Sequence, residues 1–168
     1  MDTHPSAKTF HLAPMSPSIR VITLVLLALP VSFFIAVWLG FRFHFAPGVL
    51  VIILYVWVWL RFRPSCFVVR ECSLEVIWPM KYREIARESI SGIRLLNPDE
   101  LRQELGWSLR VGAGGPGGGF GWLWTKRHGL VQMYVSRTDR FVWIERKRDR
   151  PWLVTPEHPE QFVRTLSA

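Results

Sequence analysis

The residues with chemistry to offer are five histidines, two cysteines, a glycine-rich run and an aromatic run that ends in cations. His4, His11, His44, His128 and His158 are scattered, with no His-Glu-x-x-His helix and no Cys-x-x-Cys pair to bring metal ligands together. A serine or cysteine nucleophile needs a base oriented by a third group, and no such trio can be nominated. Catalysis, metal and cofactor are therefore not expected. Cys66 and Cys72 are too few to frame a secreted fold, so both are expected as thiols, with Cys66 buried on a strand.

Gly112-Ala113-Gly114-Gly115-Pro116-Gly117 formally matches a dinucleotide fingerprint. That motif needs a helix to open at its end, and Pro116 followed by a β-rich run denies it one. The run 112–119 reads instead as a flexible loop between strands, or as a loop that touches lipid or a partner. Directly after it, Phe120, Trp122 and Trp124 lead into Lys126, Arg127 and His128. Aromatic rings beside cations suit an interfacial contact with anionic lipid or a partner protein. The plainer alternative takes Phe120, Trp122 and Trp124, alternating at period two, as one inner face of a strand.

The elements that must position these residues fall into two parts. Runs 21–39 and 43–60 hold no charged residue. At about 1.5 Å per helical residue they reach roughly 28 and 27 Å, close to the hydrocarbon thickness of a bilayer. Thr23 and Ser32 can bond back to their own helix, and a spanning helix tolerates Pro30. Arg20, Arg42, Arg61 and Arg63 flank the runs, and Trp38, Trp57 and Trp59 stand near their ends. A transmembrane helical hairpin over 18–63 follows, with both termini on one side. The excess of basic residues before and after it over the single Arg42 between places both termini in the cytoplasm, at an inner or plasma membrane. Residues 1–17, with Pro5, Pro14 and Pro17, are expected to form a mobile tail.

Five of the 21 lysines and arginines precede Ser65 and 16 follow it, against one and 12 of the 13 acids, so each part carries about half of the net charge of +8. Charges behind the hairpin are mixed in sign, which argues against nucleic acid despite the high isoelectric point. Residues 65–168 are enough for one small domain. Short β-rich runs are expected at 66–70, 74–78, 81–85 and 93–96, then at 107–111, 120–126, 130–136, 140–146 and 152–155. Asn97-Pro98-Asp99-Glu100 starts a two-turn helix that Gly106 ends, and Thr155 or His158 caps a closing helix. The strand 140–146 places Phe141 and Trp143 on one face and Val142 and Ile144 on the other, so it should be central.

Several stretches together resemble the bacterial pleckstrin-homology-like (PH-like) domains attached to membrane spans. They are Gly-Gly-Gly-Phe-Gly at 117–121, Val131-Gln132-Met133-Tyr134-Val135, Phe141-Val142-Trp143-Ile144-Glu145, and the ending from Leu153 through Pro156 and Pro159 to Val163. Arg83-Glu84-Ile85 and Ser89-Ile90-Ser91-Gly92-Ile93 are similar to the stretch before the family's middle helix. The resemblance implies a bent, partly open antiparallel barrel of about seven strands, capped by the C-terminal helix. It also implies a binding module without shared chemistry. Phosphoinositide recognition does not carry over, because the first inter-strand loop offers Arg70 followed by Glu71, Cys72 and Ser73 in place of several cations. The expected role is a membrane-anchored binding or assembly module with a protein or anionic-lipid partner. The alternative is an accessory subunit that packs into a larger complex through its hairpin.

Overall fold

The computed structural model describes residues 7–115 and 117–168. Two long helices come first, α1 (Pro17–Trp38) and α2 (Phe45–Phe62), and both are long and apolar enough to cross a membrane. They meet through a turn at Gly40 and a short 3-10 segment, Arg42–His44. Their polar groups are answered inside the pair: Thr23 donates to the Ile19 carbonyl at 2.7 Å, Ser32 to Leu29 at 2.7 Å, and Tyr55 of α2 to Leu26 of α1 at 3.0 Å. Gly48 lets the helices approach, since a Cβ there would stand 3.1 Å from Cβ of Phe33. α1 runs unbroken through Pro30.

The strand β1 (Lys8–His11) precedes α1 and pairs antiparallel with β2 (Cys66–Val69), which follows α2. This corrects the expected mobile tail over 1–17. Phe10, Leu12 and Ala13 are buried, and the apolar surface they remove from water offsets the cost of ordering the segment. Residues 1–6 of that tail lie outside the described residues. The sheet continues through β3 (Ser73–Trp78) and β4 (Lys81–Ala86) in the order β1-β2-β3-β4. Cys66 is partly exposed rather than buried, its thiol pKa raised by what burial it has, and Cys72 is exposed.

The second sheet has six strands: β5 (Ile90–Leu96), β6 (Ser108–Gly115), β7 (Gly118–Thr125), β8 (Gly129–Val135), β9 (Phe141–Arg146) and β10 (Trp152–Val154). Their order is β5-β9-β10-β8-β7-β6, so β9 lies inside the sheet as its two apolar faces required. Among the described residues the domain has nine strands where about seven were expected, and β1 joins them from before the helices; the barrel is open, as the resemblance implied in part, and the β10–β8 pair is parallel where an antiparallel ladder was expected. The glycine run is not a loop. Gly112, Gly114 and Gly115 pair with Gly121, Gly119 and Gly118 in a β6–β7 ladder.

Between β5 and β6 stands α3 (Pro98–Leu105). Asn97 Oδ1 accepts from the backbone N–H groups of Asp99 and Glu100, and the Glu100 carboxylate accepts from Asn97 N–H, as the sequence signature required. The chain closes with α4 (Pro159–Ser167). Its N-cap residue, His158, makes no side-chain bond, and Thr155 is buried where its hydroxyl accepts from the Ser136 N–H. His158 is thus the cap by position, without a side-chain bond, and Thr155 is not.

Strand alternation divides the core in two. Val142, Ile144, Trp152 and Val154 face the first sheet and α4, where they pack with Phe67, Val76 and Phe162. Phe141, Trp143, Leu153, Val131 and Met133 point to the opposite face and pack with Leu101 and Leu105 of α3.

Candidate interaction surfaces

The aromatic run on β7 is split by what covers it. Phe120 is buried in the closed core beside Tyr134, whereas Trp122 and Trp124 are exposed, so the expectation of one inner face holds for Phe120 alone. Register explains the extension of this surface. Leu109 of β6 pairs with Trp124, and Trp107, just before β6, packs edge-to-face on Trp124 with ring centroids 5.8 Å apart. Trp107, Leu109, Trp122 and Trp124 form an exposed apolar patch beside β6, an edge strand. Sequence reading missed Trp107 and Leu109, although their period-two spacing was visible.

The basic end of the run does structural work. Arg127 donates to the Gln103 carbonyl at 2.6 Å, and His128 Nε2 lies 2.9 Å from the Glu104 carboxylate, with its ring against Trp143. Both residues tie the β7–β8 turn to α3. Arg94 of β5 also binds Glu104, at 3.2 Å, and Glu145 of β9, at 2.6 Å. The Arg94 hydrogen bond, joined by its charge and by His128, holds the Glu104 carboxyl below the usual range. Lys126 is exposed beside the aromatic patch.

At the other end of β6–β7 the chain meets the helix pair. The Gly117 N–H donates to the Thr23 hydroxyl at 3.0 Å, and Thr23 is buried on a helix most of whose side chains are exposed. Gly117 has φ +90°, and a Cβ there would stand 3.0 Å from the Trp59 ring. Glycine is required for both reasons. Arg63 lies 4.0 Å from the Trp59 ring centroid, and Trp78 Nε1 donates to the Phe62 carbonyl at 3.0 Å, answering one of the open carbonyls at the end of α2. Ser16 N–H donates to the Ser136 carbonyl on the α1 side.

A third feature was not anticipated. On the sheet face opposite the first sheet, α3 covers only part of the apolar surface, and the start of α1 stands across the gap. Between them lies a cleft of about 430 Å³. Its floor is Met133, Val135 and Leu153, with Leu105 on one wall and Ile19 and Ile22 on the other. The apolar alternation of β8 and β9 was the available signal for a second face; nothing in the sequence revealed that a cleft is left against it.

Among the described residues no three His, Cys, Asp or Glu side chains converge as metal ligands. A family model described as Bacterial PH domain matches residues 66–168. No curated protein and no solved structure matches the chain. The match takes in β2 to α4 and more than half of the sequence, so this chain belongs to the bacterial PH domain family.

Proposed function

We propose that this protein is a non-enzymatic, membrane-anchored binding and assembly module whose PH-like domain is fixed at the cytoplasmic face of the membrane. The observation that carries this reading is the path of the chain: β1, the helix pair and β2 follow in sequence, and β1 and β2 are adjacent strands. Both ends of the hairpin thus enter one sheet, which makes the domain a rigid base rather than a module on a string. The Gly117–Thr23 and Trp78–Phe62 hydrogen bonds support the same coupling. The basic residues flanking the helices support cytoplasmic termini.

The partner surface is the patch formed by Trp107, Leu109, Trp122 and Trp124 with Lys126 at its rim. Exposed tryptophans beside an edge strand suit a protein partner, because aromatic anchors dominate interface energetics and an open strand edge can pair. Arg127 and His128 belong to the α3 anchor, which leaves few free cations for a lipid surface here.

Two measurements test this. A membrane-impermeant maleimide should label Cys72, in a Cys66→Ser background, in inside-out vesicles only; labelling in right-side-out vesicles overturns the cytoplasmic placement. A photocrosslinking amino acid in place of Trp124 should give one discrete protein adduct that Trp107→Ala abolishes. An adduct to phospholipid would instead make this patch a membrane contact.

A further inference from the structure

We propose that the cleft between α1, α3 and the second sheet holds one acyl tail of a phospholipid drawn from the leaflet that α1 enters. The proposal rests on the reading of α1 and α2 as membrane-spanning, and goes beyond it by giving the domain a lipid ligand of its own.

Position is the first argument. Ile19 and Ile22 belong to the first two turns of α1, and Ile22 lies about 7.5 Å along the helix from Pro17. Ile22 is 56% exposed. One side of it faces the surroundings of the helix, which in a membrane are lipid, and the same side chain lines the cleft. The open side of the cleft is therefore continuous with the lipid-facing surface of α1, and a tail can pass from bilayer to sheet without crossing water. A soluble apolar ligand or a peptide would have to arrive through the headgroup layer.

Chemistry and size agree. Met133, Val135, Leu153 and Leu105 present only apolar side chains, and β8 and β10 satisfy their backbone groups in the sheet. The floor asks for an occupant without hydrogen bonds. A volume of about 430 Å³ is nearly three times the roughly 150 Å³ engineered cavity that stays dry and takes a benzene, and lies in the range of ligand pockets. Among the described residues the polar lining comes from Ser18, Ser108 and Thr138 and from the cation Arg102, and none of these lining residues is acidic. Arg102 is exposed and its nearest acid, Asp99, is 3.9 Å away, so the guanidinium can meet a phosphate. Polar and cationic groups beside an apolar floor match an ester and headgroup beside a tail.

The test uses the full chain in liposomes of phosphatidylethanolamine and phosphatidylglycerol that contain a phosphatidylglycerol with a diazirine near the end of one acyl chain. Irradiation and peptide mass mapping should place adducts on Met133, Val135 or Leu153 as well as on α1 and α2. Adducts on the helices alone overturn the cleft site while leaving the spanning hairpin intact. Adducts on neither overturn both. Ser108→Trp and Thr138→Trp, each at an exposed position of the lining, should cut cleft labelling at least about tenfold with helix labelling unchanged. The second variant serves where the first fails to fold, and undiminished cleft labelling in a folded variant overturns the proposal. Loss of cleft adducts as the protein-to-lipid ratio rises would assign the cleft to a second copy and overturn it too.

Discussion

The two faces of the six-stranded sheet are made of the same kinds of residue and end in different states. On one face the first sheet and α4 close over Val142, Ile144, Trp152 and Val154, and Phe162 of α4 is fully buried among them. On the other, Met133, Leu153 and Phe141 are also buried, but the eight-residue α3 and the start of α1 leave a cleft beside them. A closed face contributes stability. A face with a cleft beside it retains room for a ligand, at the expense of contacts that a second full layer would have made.

The largest expected effect separates the faces directly. Phe162→Ala empties a fully buried position in the closed core and should cost about 3–5 kcal/mol in denaturant or thermal unfolding of the purified chain. Met133→Ala on the cleft floor removes a side chain that already borders open space, and should fall at or below about 2 kcal/mol. Equal losses would mean that the two faces are packed alike.

A middle-sized effect belongs to the lock on the closed side. Arg87 donates to the carbonyls of Thr165 and Leu166 at the end of α4 and to the carbonyl of Glu71. These are bonds from a charged group to carbonyls that the helix leaves open. Arg87→Ala should cost about 1.5–3 kcal/mol, read as a lowered melting temperature and faster amide exchange in α4.

At the joint with the helices, Gly117→Ala places a Cβ at positive φ and against Trp59. About 1–2 kcal/mol of destabilisation is expected, with exposure of Trp59 to a collisional quencher. Unchanged quenching would separate the glycine hairpin from the helix pair.

The smallest effect sharpens the open side. Because Arg94, with His128, lowers the Glu104 pKa in the folded chain, its contribution to holding α3 is fully present above the ordinary carboxylate range. It is lost as pH falls through the lowered value. The pair is near the surface, so about 0.2–1 kcal/mol is at stake. Amide exchange in α3 should accelerate only in acid below about pH 4, and Glu104→Gln should remove that acid step.

Much of this was legible in the residues. The two apolar runs, the α3 capping box and most strands follow from local patterns that each segment satisfies alone. The interior place of β9 followed from Phe141 and Trp143 alternating with Val142 and Ile144. The β1 strand did not: four residues between Pro5 and Pro14 gain order only from Phe67 and the rest of a sheet formed beyond the hairpin. The glycine run misled because glycine favours loops locally, while here pairing between Gly112–Gly115 and Gly118–Gly121 decides its conformation. Of the six residues singled out for contact, alternation located Trp122 and Trp124 but not their cover, which depends on where the first sheet stops.

The sequence by itself determined which segments are apolar enough to enter lipid, which alternate as strands and where the helices begin, because these depend on neighbours a few positions away. Only the tertiary structure decided that β1 and β2 grip the helix pair from both sides, that Arg127 and His128 brace α3, and that a cleft remains against one sheet face. Those outcomes depend on groups far apart in the chain competing for the same surface, and the length of α3 and the stance of α1 leave part of that surface without a protein partner.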